Sequence, residues 1–220
     1  MEKKILISPN GNSISISEME DNFEKVGASF ETIFRRLEFN EVIKYTKGAG
    51  IDIGCGLSKI HSCAIGIDIR LGDKDFGYAY GANIGCPSKE YLDLSWFSNG
   101  SLDFIFSSHC LEHFVDPAKS VAEMRRALKT GGYLVVLLPD ERYYPRIGER
   151  GANPDHKRNY SPESLVTIVK QTGKWEIIQL DTLHNKLDDV SLTKRDRIIA
   201  DHYGHNSFNF SFEGVFQKAV

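Results

Sequence analysis

Three residues in the stretch SSHCLEHF, at positions 107–114, are of types that bind metals or move protons. His109, Glu112 and His113 follow the spacing H-x-x-E-H. On an α-helix this spacing places both imidazoles and the carboxylate on one face, where they can hold a zinc ion. Read alone, the spacing is typical of metal-dependent hydrolysis, in which zinc activates a water molecule.

The elements predicted on either side of this motif argue against a zinc peptidase. An apolar run at 102–107 leads into the motif and predicts a buried strand. Asp116 and Pro117 follow the motif and interrupt any helical path. The inverted zinc peptidases carry both histidines on a long helix, for which this interval has no room. We therefore expect the motif to form the loop and first turn after a strand.

The wider pattern of apolar runs predicts an α/β fold. Short apolar runs bounded by Gly, Asp or Ser are typical of buried strands in a mostly parallel sheet. Such runs lie at 50–54, 63–69, 102–107 and 133–139, and a closing pair lies at 175–180 and 212–219. We predict a doubly wound, mostly parallel seven-stranded sheet with a C-terminal antiparallel strand.

Two helices between these strands have clear start signals. Asp116 and Ser161 are candidate N-caps, and each precedes a proline that suits the first helical position. We expect the first helix to end at Gly131 or Gly132. Glu163 lies one residue too early for a capping box, so none is predicted from it.

The domain organisation follows from the same pattern. In residues 1–48, the apolar pattern predicts a short strand at 5–7 and one or two helices within 23–45. These helices are expected to pack on the core as a cap. Residues 49–220 hold the main domain, and the two segments together are predicted to form one domain. Residues 181–206, between the two strands of the closing pair, are charged and contain histidines, and we expect this excursion from the sheet to be partly helical. The sequence leaves the oligomeric state open.

Composition narrows the classes of function. The 220-residue chain has a formal net charge of −3, which gives no general attraction to nucleic acid. No apolar run approaches the length of a membrane span, and none of the four cysteines forms a C-x-x-C pair. We expect a cytoplasmic protein whose partner is a small molecule rather than a nucleic acid.

A glycine-rich turn, DIGCGLSK at 52–59, follows the first strand predicted for the main sheet. Gly54 and Gly56 allow a tight turn in which the backbone approaches a ligand. A dinucleotide fingerprint needs Gly or Ala where this chain has Lys59, and an acid about 20 residues further on. Asp68 comes only 12 residues after Gly56. The pattern disfavours NAD, and a purely structural turn remains an alternative.

After the glycine-rich turn, the chain carries an aspartate near the end of a second strand, a later aspartate, and then two longer motifs. GIDI and YLDL each carry an acid near a strand end, and LDFIFSSHCLEHFVDP and ALKTGGYLVVLLPD come after them. This series resembles the class I S-adenosylmethionine-dependent methyltransferases, and within them the small type 11 branch. The resemblance is strong over 49–140 and weak elsewhere. It implies a methyltransferase enzyme with S-adenosylmethionine as its cofactor.

The resemblance also implies roles for individual residues. Asp68 would accept hydrogen bonds from both ribose hydroxyls, and Asp93 would accept one from the adenine amino group. The other positions implied are the Leu94 backbone at an adenine ring nitrogen, Asp52 near the methionine ammonium, Ser107 beside the methionine part, and Gly54, Cys55, Gly56 and Ile69 around them. Ser58 stands where the family prefers glycine. Without the resemblance, a single strand-end aspartate equally well caps a helix or a turn.

For the motif itself, three interpretations stay open. In many type 11 members a Glu and a His at this place brace neighbouring loops. In the small-RNA 3′-end 2′-O-methyltransferases and the ubiquinone-pathway O-methyltransferases, an E-x-x-E-H stretch here binds a divalent metal. This chain has His109 at the first position and His156 downstream, a set that suits zinc or another transition metal better than magnesium. The third interpretation is a lone histidine, His109 or His156, acting as general base. The predicted catalytic residues are His109, Glu112, His113 and His156, and the sequence alone assigns no metal ligand.

The segment at 138–160 follows the last parallel strand. It contains three tyrosines and the cations Arg142, Arg146, Arg150, Lys157 and Arg158. It is either a solvated loop or a substrate lid, in which arginine binds phosphate or carboxylate and tyrosine stacks on a sugar.

The function predicted from these features is O-methylation of a small-molecule hydroxyl, in a sugar or glycan precursor of polysaccharide biosynthesis. The alternatives are a non-catalytic S-adenosylmethionine-binding module and metal-assisted 2′-O-methylation of RNA ends. A nicotinamide-dependent enzyme is disfavoured by Lys59, and a metallopeptidase by the short interval after residue 107.

Overall fold

The computed structural model describes residues 5–7, 13–15, 42–56, 59–60, 63–69, 84–86, 89–149, 152–182 and 211–220. The helices predicted within 23–45 lie outside these ranges apart from the last residues, where Ile43–Tyr45 form a 3₁₀ turn. The excursion predicted at 181–206 also lies outside them, apart from its first two residues. The division at residue 48 stays a prediction.

The strands form two sheets. The smaller is an antiparallel pair of β1 (Ile5–Ile7) and β2 (Ser13–Ser15). The larger contains β3 (Gly50–Ile53), β4 (Ile65–Asp68), β5 (Ile84–Gly85), β6 (Leu102–Ser108), β7 (Leu128–Pro139), β8 (Trp175–Thr182) and β9 (Ser211–Lys218). Its spatial order is β5-β4-β3-β6-β7-β9-β8.

The strand directions confirm the predicted fold class. The neighbours from β5 to β7 are parallel, and β9 runs antiparallel between β7 and β8. The chain moves from β3 outward to β4 and β5, and then returns to β6 on the other side of β3. In such sheets ligands bind beyond the carboxyl ends of the strands at this reversal of order. The end of β3 and the end of β6 therefore define the expected site.

The first helix, α1 (Pro117–Ala127), begins as predicted and ends earlier than predicted. The side chain of Asp116 accepts a hydrogen bond from a first-turn backbone N–H at 2.9 Å. The predicted end at Gly131 or Gly132 is wrong. Leu128 already has extended dihedral angles, φ −69° and ψ 140°, and it begins β7.

The second helix, α2 (Pro162–Gln171), has a capping box that was not predicted. The Ser161 hydroxyl accepts from the Ser164 N–H at 3.3 Å, and the Ser164 hydroxyl accepts from the Ser161 N–H at 2.9 Å. A serine hydroxyl thus takes the place that glutamate or glutamine usually has in this motif. Among the residues that the structure describes, no helix is long and apolar enough to cross a membrane.

Alternating side chains of the central strands build an apolar layer on each face of the sheet. On one face, Ile51 and Ile105 pack with the apolar sides of α1 and α2. On the other face, Phe104 and Phe106 pack with Val215 of β9. Because β3 and β6 are covered on both faces, the residues at their carboxyl ends have fixed positions.

Candidate active site

The turn after β3 joins the end of β4 through a hydrogen bond. Gly54 and Gly56 have φ values of +69° and +55°, a region that favours glycine. The Gly56 N–H donates to Asp68 Oδ2 at 2.9 Å. Asp68 is the last residue of β4 and is only 7% exposed. Of the other predicted cofactor residues nearby, Cys55 is buried and Ile69 is exposed.

Close packing against the turn requires glycine at position 54. A Cβ atom on Gly54 would lie 2.7 Å from the Cys110 Cβ and 2.9 Å from its Sγ. Burial raises the pKa of the Cys110 thiol well above its usual value, and the charges of Glu112 and Asp68 raise it further. Cys110 is therefore a neutral packing residue that joins the glycine turn to the loop after β6.

Two more predicted cofactor residues lie on β3 and β6. Asp52 is fully buried, and its Oδ2 accepts from the Ile60 N–H at 2.6 Å. Ser107 lies opposite Ile53 in the parallel pairing of the two strands. The buried Ser107 hydroxyl has no hydrogen-bond partner within the described part of the chain. A buried hydroxyl of this kind at a strand end is suited to a ligand.

The acid of YLDL lies in a turn that an arginine of α1 supports. Asp93 Oδ1 accepts from the Ser95 N–H at 2.8 Å. The Arg126 guanidinium donates to the carbonyl oxygens of Leu94 and Phe97, each at 2.8 Å. Sequence reasoning missed Arg126. Its position in the last turn of α1 is a weak signal, because helices often end in basic residues for other reasons.

The loop after β6 begins with an unusual backbone conformation at His109. Its φ is +49°, in the left-handed region that non-glycine residues rarely adopt. The His109 Nε2 lies 3.1 Å from the Ser211 Oγ at the start of β9. Its Nδ1 lies 3.7 Å from Glu112 Oε1. Such strain is concentrated at functional sites, and here it places the imidazole between β9 and Glu112.

The remaining predicted catalytic residues meet at this loop. Glu112 and His113 lie on the 3₁₀ turn Leu111–His113. His156 comes from the loop after β7, which is joined to the turn because the Lys157 N–H donates to the Glu112 carbonyl at 2.8 Å. The ligand atoms of Glu112, His113 and His156 all lie within 4.8 Å of one another. We call these three residues the Glu112 cluster. His109 is not a member of the cluster, but its Nδ1 lies near the Glu112 carboxylate.

Ion pairs distinguish the arginines of the segment at 138–160. Arg142 binds the buried Asp140 in a bidentate manner, with Nε–Oδ1 at 2.9 Å and Nη2–Oδ2 at 2.6 Å. This contact raises the pKa of the guanidinium. Arg146 Nε lies 3.8 Å from Glu141 Oε2, and Arg150 lies outside the described residues. Arg142 is thus engaged in holding the loop.

A pocket lies beside the Glu112 cluster. Its polar and aromatic lining includes Glu141, Tyr144, His156, Arg158, Asn159 and Tyr160. The Tyr160 hydroxyl is buried and has no hydrogen-bond partner among the described residues. Burial raises the pKa of this phenol, and the charge of Glu112 raises it further. A specific role for Tyr160 was not predicted, because its position beside Glu112 depends on the path of the whole loop.

A central segment of the chain matches a known protein family. Residues 51–136 match the family model described as "Methyltransferase domain". Over these residues the chain is therefore similar to a methyltransferase domain. This methyltransferase is of class I, and S-adenosylmethionine is its cofactor, as the series of motifs implied.

Solved structures share this fold, and one further protein is similar in sequence. A S-adenosylmethionine-dependent methyltransferase from Archaeoglobus fulgidus is 21% identical, with a TM-score of 0.56 over 91% of this chain and 99% of that chain. A possible histamine N-methyltransferase from Thermotoga maritima is 19% identical, with a TM-score of 0.58 over 92% and 96%. An uncharacterized protein of Methanocaldococcus jannaschii is 23% identical over 172 residues, which cover 74% of this chain and 80% of that protein. At these identities the solved structures show a common fold and leave the acceptor open.

Proposed function

We propose that this methyltransferase acts on a hydroxyl group of a small molecule, and that the acceptor is a sugar or glycan precursor. The observation that carries the proposal is the position of the Glu112 cluster beside the pocket, with Glu112 and His113 close after Cys110, which packs against Gly54. Groups that can take up a proton thus lie next to the turn assigned to the methyl donor. The proposal includes a cytoplasmic location and a role in polysaccharide biosynthesis.

The strand-end residues fit the chemical groups of S-adenosylmethionine. The cofactor has a ribose diol, an adenine and a zwitterionic amino-acid tail, and it carries no phosphate. Carboxylates therefore suit it better than a phosphate-binding turn does. Asp68 beside the glycine turn is suited to the ribose hydroxyls, and Asp93 to the adenine amino group. The buried Ser107 hydroxyl is assigned to the methionine part.

The chain has two tasks in the reaction. When bound, S-adenosylmethionine supplies a methyl group that passes from sulfur to the acceptor oxygen, with loss of the hydroxyl proton and formation of S-adenosylhomocysteine. The pocket holds the acceptor so that its oxygen lies in line with the breaking carbon–sulfur bond. The Glu112 cluster, together with His109, receives the hydroxyl proton or passes it to solvent.

The lining of the pocket supports a polar, hydroxylated acceptor. Tyr144 provides a ring whose centroid is 5.4 Å from that of His156, and rings of this kind stack on sugars. Glu141, whose charge is offset by Arg146 at 3.8 Å, and Asn159 offer hydrogen-bonding groups. Arg158 is an exposed cation on the lining, which suits a phosphate or carboxylate on the acceptor.

The central test combines binding with methyl transfer. S-adenosylhomocysteine titrated into the purified chain by calorimetry is expected to bind one site per chain. Labelled S-adenosylmethionine is then incubated with sugars, sugar phosphates and glycans, with amines and short RNAs as competitors for the label. We expect label on a sugar hydroxyl. Absence of binding heat would contradict the cofactor assignment, and label confined to amines or RNA would contradict the acceptor class.

Replacing Arg158 by alanine is expected to raise the KM for a phosphorylated or acidic acceptor by about tenfold, because one charge-assisted hydrogen bond is lost. The kcat should change little, since Arg158 lies on the lining and not among the proton-accepting groups. Steady-state kinetics with an acidic acceptor and its neutral counterpart measure the effect. Lys157→Ala is the matched control, because it removes an adjacent exposed cation that does not line the pocket. Equal KM changes in both variants would exclude a specific role for Arg158.

A further inference from the structure

We propose that Glu112, His113 and His156 bind one divalent transition-metal ion, and that His109 positions Glu112 without binding the ion. The resemblance drawn from the sequence placed His109 and the three others on equal terms. The geometry of the folded chain separates them.

The ligand atoms of the Glu112 cluster converge on one point. One carboxylate oxygen and two imidazole nitrogens lie within 4.8 Å of one another. Metal–ligand bonds to imidazole and carboxylate are about 2.0–2.2 Å long, so an ion between these atoms requires only small side-chain adjustments. The rings of His113 and His156 approach edge to face with centroids 4.9 Å apart, which brings two imidazoles to one point beside the carboxylate.

The carboxylate of the Glu112 cluster and one of its imidazoles are buried. The Glu112 side chain is 1% exposed and that of His156 is 8% exposed. Glu112 Oε1 and His156 Nε2 lie 3.8 Å apart, which is longer than a hydrogen bond. A metal ion bound between Glu112 and the imidazoles would place a positive charge at bonding distance from this buried carboxylate, an arrangement in which buried charges are stable.

Hydrogen bonds and a neighbouring histidine support the Glu112 cluster. The Lys157 N–H donates to the Glu112 carbonyl at 2.8 Å, so the backbone that carries His156 is fixed to the turn that carries the other two ligands. His109 presents Nδ1 to Glu112 at 3.7 Å and is held by Ser211 through Nε2 at 3.1 Å. Side chains that orient ligands in this way are a regular part of metal sites.

An independent observation points to an additional polar species at the same place. Tyr160 lines the pocket beside His156. Its hydroxyl is buried and lacks a hydrogen-bond partner among the residues that the structure describes. Buried hydroxyls are normally paired. A ligand oxygen held at the metal, from water or from the acceptor, would provide the missing partner.

The ligand types indicate which metal is bound. Two imidazoles and one carboxylate favour zinc or a similar transition metal over magnesium and calcium, which prefer oxygen ligands. Three protein ligands leave a position open, as in catalytic rather than structural zinc sites. The catalytic use of this position rests on the function proposed above: an acceptor hydroxyl at the ion would have a lowered pKa and release its proton to solvent, so that with the ion bound the three ligands would not take up the proton themselves.

The experiment measures metal binding and cofactor binding separately on the full chain. The protein is stripped with a chelator and titrated with zinc by calorimetry, and cobalt is then used to report coordination through its visible absorption. We expect one equivalent of zinc and cobalt bands of a low-coordinate site. Glu112→Gln and His156→Ala should each weaken zinc binding at least about 100-fold, and His109→Gln about 10-fold, as expected for a positioning residue.

Glu176→Gln, on the exposed surface of β8, is the matched control and should bind zinc like the wild type. S-adenosylhomocysteine binding is measured in every variant and should persist, which shows that each variant is folded. Zinc binding that is absent in the wild type, or equal in wild type and Glu112→Gln, overturns the metal site. Zinc binding by a chain that binds no S-adenosylhomocysteine overturns the proposed function and leaves the metal site standing.

Discussion

Replacing Asp68 by alanine is expected to weaken binding of S-adenosylhomocysteine by about 100-fold. Asp68 is assigned to both ribose hydroxyls, and two hydrogen bonds to a carboxylate contribute about 3 kcal/mol together, which is about a factor of 100 in affinity. The substitution also removes the acceptor of the Gly56 N–H, so the glycine turn loses its link to β4. Calorimetric titration of the two proteins measures the difference.

Two further variants separate the ribose contact from general effects. Asp68→Asn keeps the shape and a hydrogen-bond acceptor for Gly56 but loses the charge, so an intermediate loss of about 10-fold is expected. Asp103→Ala removes an aspartate at the opposite end of β6, where it binds Lys129 and the Ala49 N–H, and should leave cofactor affinity unchanged. Unchanged affinity in Asp68→Ala would show that the ribose assignment is wrong.

Replacing Gly54 by alanine is expected to lower the free energy of unfolding by about 3 kcal/mol, of which about 1–2 kcal/mol arises from the left-handed backbone and the rest from overpacking against Cys110. The new Cβ would lie 2.7 Å from the Cys110 Cβ, an atom that cannot move without moving the loop after β6. Denaturant unfolding gives the stability. Binding of S-adenosylhomocysteine should fall as well, because the turn and the loop would be displaced.

The control for Gly54→Ala is Gly148→Ala. Gly148 has φ +90° and open space around it, so this variant carries the backbone cost of about 1 kcal/mol without the contact. In the double variant Gly54→Ala/Cys110→Gly, the overpacking cost should largely disappear, and the two substitutions should be clearly non-additive. Equal destabilisation by Gly54→Ala and Gly148→Ala would contradict the packing argument.

The strands around the site could be predicted because buried parallel strands need continuous apolar residues. The runs at 50–54, 63–69 and 102–107 correspond to β3, β4 and β6. The start of β7 was predicted too late, since its first residue Leu128 pairs with Leu102 of β6 before the apolar run begins. The antiparallel closing pair was predicted from the same type of pattern, and this part of the fold is confirmed.

Other features depended on contacts that leave little trace in local sequence. The capping box of α2 uses the Ser164 hydroxyl, a residue type that the usual pattern does not specify. Arg126 supports the turn at Leu94 from a different element. The bidentate contact of Arg142 with Asp140 showed that this cation is engaged within its own loop, whereas the sequence grouped it with Arg158.

The sequence by itself determined that His109, Glu112 and His113 lie after a strand and not on a long helix. It also determined the order of glycine turn and strand-end acids, because hydrophobic periodicity and turn chemistry are properties of neighbouring residues. Only the tertiary structure decided which side chains meet. His156 joins Glu112 through the packing of the loop after β7 on the 3₁₀ turn, and His109 faces Ser211 because β9 inserts beside β7. Contacts between segments far apart in the chain depend on how the elements pack, which spacing within one segment does not encode.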